Sequence, residues 1–151
     1  MNLAERIEAL RLELPPHPPL GGVYKPVTTL GNQLFVSGQG PLQMDGTLTL
    51  GKLGRDLSTE EGYAAARQVG LTMLSTIRTH ADLSQIKRLV KTLGMVNSTL
   101  DFHEQPQVIN GFSELMAELM GDDLGKGARS AVGMILPGNM AVEIEAIFEI
   151  E

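Results

Sequence analysis

The chain has no cysteine and no tryptophan, and aromatic residues make up 4% of its 151 positions. The absence of cysteine excludes a disulfide framework, a thiolate nucleophile and a zinc–thiolate site, and it fits a reducing compartment. The scarcity of aromatic rings disfavours a base-stacking surface. Basic residues are outnumbered, 12 Lys and Arg against 18 Asp and Glu, which gives a net charge of −6. This balance argues against a nucleic-acid partner, because phosphate binding depends on clustered basic side chains.

Long apolar runs are also missing, and no segment reaches the length that a membrane-spanning helix needs. The first residues carry charge early and lack the apolar stretch of a secretory signal. These features predict a cytoplasmic protein with no membrane partner. The length and the 42% hydrophobic content predict a single domain over residues 1–151.

Hydrophobic periodicity predicts the helices and strands. Helical spacing of Leu3, Ile7 and Leu10 predicts an N-terminal helix over residues 2–12, and a proline-rich connector completes an N-terminal segment of residues 1–19. The further predicted elements are strands over 23–29, 33–37 and 86–97, a possible short strand over 47–50, helices over 59–81 and 106–120, and a closing strand over 140–150.

The C-terminal residues 127–151 predict a β-hairpin, with Arg129 at the start of its first strand. In its second strand, alternation places an apolar set on one face, and Glu143 and Glu145 on the other face together with Ala141, Ile147 and Glu149; the apolar set is Met140, Val142, Ile144, Ala146, Phe148 and Ile150. The order of elements predicts an α+β fold, in which two long helices cover one face of a mixed sheet of about six strands.

The uncovered sheet face predicts a homo-oligomer, because apolar residues such as Phe35, Met95 and Ile147 fall near it.

Arg129 and Glu143 are the candidate catalytic residues. A guanidinium can hold a carboxylate through two parallel hydrogen bonds. Two glutamates on one strand face can raise one pKa towards neutrality and supply a general base. The alternatives are a surface or ion-paired arginine and an exposed glutamate face that deters aggregation.

Tyr24 and Ser37 lie at strand positions that could line a cleft, and Asn110 lies early in a helix and offers an amide to a ligand. The alternatives are ordinary strand packing for the first two and a capping or solvent-facing role for the asparagine. The histidines lie far apart along the chain without metal-ligand spacing, so no metal is predicted; they are His17, His80 and His103.

Several short stretches resemble the reactive-intermediate deaminase family, which is also called the Rid, YjgF or L-PSP endoribonuclease-like family. They follow one another in the family's order over roughly residues 20–151. The stretches are Val23–Tyr24, Leu34–Gln39, Leu89–Thr92, Val108–Asn110, Ala128–Ser130 and Val142–Ile147.

The resemblance implies a chorismate-mutase-like fold in a homotrimer with substrate clefts between subunits. It implies that Arg129 grips the carboxylate of a 2-imino acid and that Glu143 positions or activates a water molecule. The implied reaction is that of a 2-iminobutanoate/2-iminopropanoate deaminase, which hydrolyses an enamine or imine such as 2-aminoacrylate to a 2-keto acid and ammonia without a cofactor. The residues implied to line the pocket are Tyr24, Ser37, Gly38 and Asn110.

The chain also departs from the family pattern. It has the extra N-terminal helix, Val23 where many members have proline, and Ala131 where cysteine is common. These differences leave two further functions open. One is a non-catalytic trimer that binds a small carboxylate as a sensor or scaffold, and the other, ranked last, is an endoribonuclease.

Overall fold

A mixed five-stranded sheet forms the centre of the computed structural model, which describes residues 1–151. Two long helices cover one face of this sheet. The helices are α1 (Leu3–Ala9), α2 (Thr59–His80) and α3 (Gln105–Leu124), and the strands are β1 (Val27–Leu30), β2 (Gln33–Gln39), β3 (Ile86–Asn97), β4 (Ala128–Met134) and β5 (Val142–Ile150). The predicted α+β class and the layer of two long helices are therefore confirmed.

Local signals in the sequence place the helix ends. Ser58 and Glu61 form the capping box that starts α2, since each side chain binds the other residue's backbone N–H. At the far end of α3, Gly121 adopts a left-handed φ of 86°, which only glycine adopts easily. It interrupts the helix where the sequence predicts a stop, and one further turn follows.

The strand order is β1-β2-β5-β3-β4. All neighbouring pairs are antiparallel except β3 and β4, which are parallel. The predicted C-terminal β-hairpin is therefore wrong, because β3 lies between β4 and β5. Helix α3 supplies the crossover connection that parallel neighbours such as β3 and β4 need.

Two other strand predictions differ from the structure. Residues 47–50 form only isolated bridges, from Leu48 to Leu42 and from Leu50 to Met140, so the sheet has five strands. The first strand begins at Val27 rather than at residue 23. Pro26, just before it, has no N–H to contribute to a strand ladder.

The core lies between the sheet and the two long helices. The alternation predicted for β5 is confirmed, since Val142, Ile144 and Phe148 are fully buried against the helices. Helices α2 and α3 approach closely at Gly111, where a Cβ atom would overlap the backbone carbonyl of Tyr63. This contact brings the middle of α3, and the residues beside Gly111, into a fixed position over the sheet.

The N-terminal segment packs on the same core. Helix α1 is shorter than predicted, but Leu3 and Ile7 are buried as its spacing indicated. The rings of His17 and His80 meet edge to face with centroids 5.7 Å apart, so these two histidines are neighbours in space although they are distant in sequence. No group of three His, Asp or Glu side chains lies close enough together to hold a metal ion.

The sheet face opposite the helices carries Phe35, Met95 and Ile147, each half-buried in the single chain. Such a face fits the predicted self-association, which stays a prediction. None of the helices combines the length and the apolar character that crossing a membrane requires.

Candidate functional site

A cavity of about 680 Å³ lies beside the end of β2. It brings together four of the predicted site residues, of which one precedes β1, two lie on β2 and one lies on β5. These four are Tyr24, Ser37, Gly38 and Glu143. Their convergence follows from the antiparallel pairing of β2 with β5.

A β-bulge shapes this end of the sheet. Val36 pairs with Ala146, whereas Gln39 pairs with Ile144, so β2 has one residue more than β5 across the same interval. The bulge contains Gly38, whose missing side chain leaves room for the carboxylate of Glu143. A Cβ atom there would lie 3.0 Å from Glu143 Cδ and 3.2 Å from its Cγ, and would overlap Oε2. The glycine is thus required by the position of the glutamate.

Hydrogen bonds hold Ser37 and Tyr24 at the cavity. The N–H of Ser37 donates to the carbonyl of Pro26 at 3.0 Å, and its Oγ donates to the carbonyl of Lys25 at 2.6 Å. The hydroxyl of Tyr24 accepts a hydrogen bond from the N–H of Gly21 at 3.1 Å. Each hydroxyl oxygen keeps lone-pair capacity for a ligand, and the phenol of Tyr24 keeps its proton to donate.

Glu143 has the electrostatic properties of a general base. Its carboxylate is half-buried and forms no hydrogen bond or salt bridge to another side chain of the chain. Burial, and then the like charge of Glu145, raises the pKa of Glu143 above its ordinary value. A carboxylate with a raised pKa accepts a proton from water more readily than an ordinary one does.

The floor of the cavity contains two buried polar residues that the sequence did not indicate. The amide of Gln39 donates to the carbonyl of Ser37 at 2.9 Å and accepts from Thr76 Oγ1 at 2.8 Å. Both side chains are thereby satisfied, as buried polar groups must be. Through these bonds, Gln39 and Thr76 connect the bulge in β2 to helix α2. The only sign in the sequence was the position of Gln39, two residues after Ser37.

Arg129 lies at the start of β4, at the opposite edge of the sheet. Its Nη1 donates to Asn110 Oδ1 at 2.8 Å and to Ser113 Oγ at 3.2 Å, both on α3. Arg129 is exposed and forms no salt bridge within the chain. Asn110 contacts Arg129 rather than capping the helix. Ser113 was missed, although it follows Asn110 by three residues on the same helix face.

A single chain does not place Arg129 and Glu143 in one pocket. Arg129 is opposite Thr92 of β3, and Glu143 is opposite Met95. Two strand spacings and three residues of rise separate their Cα atoms by about 14 Å. Arg129 also contacts α3 on the helix-covered face, whereas Glu143 is on the other face. The hairpin predicted to join them is absent, and Asn110 is likewise outside the cavity.

Comparisons with known proteins agree along almost the whole chain. A family model described as "YjgF/chorismate_mutase-like, putative endoribonuclease" matches residues 4–144. Protein TCP17 of Trypanosoma cruzi is 38% identical over 99% of this chain and 94% of its own. The crystal structure of Atu1372 from Agrobacterium tumefaciens, of unknown function, has a TM-score of 0.85 at 38% identity and covers 99% of this chain and 94% of its own. A "putative endoribonuclease" from Shewanella oneidensis MR-1 has a TM-score of 0.91 at 31% identity and covers 99% of this chain and 100% of its own.

Proposed function

Because the chain belongs to the YjgF/chorismate_mutase-like family, we propose that it hydrolyses reactive enamines and imines to 2-keto acids and ammonia. The substrates are 2-aminoacrylate or other 2-imino acids. The observation that carries the proposal is the half-buried carboxylate of Glu143, which has a raised pKa and no partner in the chain. It lies in a cavity with two hydroxyl groups, those of Tyr24 and Ser37.

The complete site is proposed to form between two copies of the chain in a homotrimer. Arg129 of one subunit reaches the cavity of its neighbour and binds the substrate carboxylate. The placement of the two side chains within one chain supports this arrangement, because Arg129 is bound to α3 on the helix-covered face of the sheet and Glu143 lies on the other face. The guanidinium also suits the task, since Asn110 and Ser113 bind one of its nitrogens and leave donors on the others.

The proposed mechanism begins when Arg129 fixes the carboxylate and Tyr24 and Ser37 orient the substrate. An enamine such as 2-aminoacrylate first becomes the imine by taking up a proton from solvent at C3 and losing one from nitrogen. Glu143 takes a proton from a water molecule as its oxygen bonds to C2 of the imine. The C=N π electrons move to nitrogen, which takes up a proton from solvent, and a carbinolamine forms. The nitrogen then takes the proton held by Glu143, the C–N bond breaks and ammonia leaves, while the hydroxyl group releases its proton to solvent and the C=O bond forms. The protein supplies orientation and one proton relay, and these two effects are large in a desolvated site.

The test measures 2-keto acid release from enzymatically generated 2-aminoacrylate, corrected for spontaneous hydrolysis. Arg129→Ala and Glu143→Gln should each reduce the rate by about 10²-fold or more. No acceleration by the wild-type protein would refute the deaminase proposal for this substrate.

Mixing the two variants tests whether the site is shared between subunits. After joint unfolding and refolding, a shared site is complete only where the Glu143→Gln chain supplies Arg129 and the neighbouring Arg129→Ala chain supplies Glu143. Random assembly of equal amounts gives this combination at about a quarter of the sites, so about a quarter of the wild-type rate should return. Separately refolded variants are the control. Without recovery in the mixture, both residues would have to act within one chain.

The second candidate is a non-catalytic trimer that binds small carboxylates. It is favoured by the cluster of Arg129, Asn110 and Ser113, which can bind an anion without Glu143. Thermal stabilisation by pyruvate that depends on Arg129, without turnover of any imine, would establish this function instead. RNA cleavage by repurified protein that is lost in Arg129→Ala would favour an endoribonuclease, against the acidic charge of the chain.

A further inference from the structure

The connector after α1 forms one wall of the cavity that contains Glu143. Residues 18–21 line the cavity together with an apolar group made by Leu42, Leu48 and Met140. The connector itself contributes two proline rings and the side chain of Leu20. The space beside Glu143 is therefore mostly bounded by hydrocarbon groups.

This connector is fixed to the core rather than loosely attached. Ser75, buried in α2, donates from Oγ to the carbonyl of Pro15 at 2.6 Å, and Leu14 is buried in the core. Beyond the connector wall, the N–H of Gly21 donates to Tyr24 at 3.1 Å. The contacts of Leu14 and Pro15 anchor the segment to the core just before residues 18–21, and the bond from Gly21 to Tyr24 fixes the local turn that follows.

The part of the lining made by Leu42, Leu48 and Met140 is also held in place. The N–H of Leu42 donates to Thr72 Oγ1 at 3.2 Å, and its carbonyl accepts from Gln68 Nε2 at 2.7 Å. Leu48 is bridged to Leu42, and Leu48 and Met140 both pack against the bare backbone of Gly40. A cavity whose apolar lining residues are held in place has a defined shape and can select ligands by size.

The cavity is much larger than the smallest proposed substrates. Its volume is about 680 Å³, whereas 2-aminoacrylate occupies on the order of 100 Å³, a few times the ~30 Å³ of a water molecule. Leu20, Leu48 and Met140 belong to the lining of the same cavity as Glu143, so apolar side chains are available beyond the reacting carbon. An apolar side chain that fills this space would leave water and gain the free energy of hydrophobic burial.

We propose that this cavity is a side-chain subsite, which makes the protein selective for 2-imino acids with bulky apolar side chains. The proposal rests on the proposed deaminase function and names its substrate class. Leu20, Leu48 and Met140 are its specificity-determining residues. The leucine-derived imine should be favoured over the alanine-derived imine by about 10-fold or more, because a single methylene in an apolar pocket is worth about that ratio.

The experiment compares the two imines, generated by an amino-acid oxidase, through their ratio of kcat/KM. Leu48→Trp should fill the cavity and lower this ratio by about 10-fold or more. The matched control is Leu30→Trp, which replaces an exposed leucine on β1 outside the cavity and should leave the ratio unchanged. If Leu48→Trp does not fold, Leu20→Trp on the connector provides the same comparison.

A binding measurement separates failure of the subsite from failure of the deaminase function. The dissociation constants of 4-methyl-2-oxopentanoate and pyruvate are measured by calorimetry on wild type and the same variants. A preference for the larger keto acid that disappears in Leu48→Trp supports the subsite even if neither imine is hydrolysed. Equal affinities in the wild type, or a preference unchanged by both cavity variants, would overturn the subsite while leaving deamination standing.

Discussion

Gly38→Ala tests whether the bulge in β2 exists to place the carboxylate of Glu143. The added methyl group would lie 3.0 Å from Cδ of Glu143 and overlap its Oε2, whereas an ordinary contact is 3.4–4 Å. The carboxylate must therefore move away. If Glu143 activates the water molecule, a displacement of roughly 1 Å should lower the rate by about 10²-fold.

The same substitution should change stability little. Gly38 has no left-handed φ that alanine would find strained. Replacing glycine stabilises by about 0.4–1 kcal/mol through the entropy of the unfolded chain. Moving the glutamate off its preferred rotamer costs about 0.5–1.5 kcal/mol. These terms nearly cancel, so the free energy of unfolding should stay within about 1 kcal/mol of the wild-type value.

The assay measures kcat and KM for imine hydrolysis together with urea unfolding at one protein concentration. A double-mutant cycle with Glu143→Ala identifies the cause, because Gly38→Ala should have almost no further effect once the carboxylate is absent. The reasoning would be refuted if Gly38→Ala retained activity within a few-fold of wild type. It would also fail if the alanine reduced activity equally with and without Glu143.

Four other predictions concern buried or half-buried polar groups. The hydrolysis rate should rise with pH as Glu143 loses its proton, and this rise should occur at a higher pH than for an ordinary glutamate. Glu145→Gln removes the neighbouring charge and should move the rise to lower pH in a pH–rate profile. The raised pKa also means that the folded state binds the proton of Glu143 more tightly than the unfolded state does. The contribution of Glu143 to the free energy of unfolding should therefore fall as the pH rises from its ordinary pKa through its raised pKa. Glu143→Gln should remove this pH dependence in urea unfolding. Ser75→Ala leaves the carbonyl of Pro15 without its buried partner and should lower the free energy of unfolding by about 1–3 kcal/mol, measured by urea at fixed concentration. Asn97→Ala removes three side-chain hydrogen bonds from a residue that is 1% exposed, and should cost roughly 3 kcal/mol or more in the same measurement.

Much of the fold was predictable because local patterns determine individual elements. The capping box at Ser58, the break at Gly121 and the alternation along β5 each depend on a few neighbouring residues. Strand partners are different, since periodicity indicates that a segment is a strand but not which strand lies beside it. The segments 128–134 and 142–150 looked like a hairpin for this reason, and only the position of β3 between them shows otherwise.

The candidate site also has some residues that the sequence predicted and others that it did not. The resemblance to known deaminases selected Tyr24, Ser37 and Glu143, which line one cavity, and also Arg129 and Asn110, whose contact with each other only the structure shows. Long-range packing determined what the sequence could not indicate. The contribution of residues 18–21 to the cavity depends on a hydrogen bond between residues 60 positions apart.

Within one chain, the sheet separates the two parts of the proposed site. Arg129 is oriented by α3 and the edge strand β4, whereas the volume beside Glu143 is set by the bulge in β2 and the connector. A substitution that reshapes one region has no direct contact through which to disturb the other. Exchanging residues 15–20, which stop short of Tyr24, between relatives should therefore transfer side-chain preference without altering carboxylate recognition, which makes this segment a natural target for engineering new substrates.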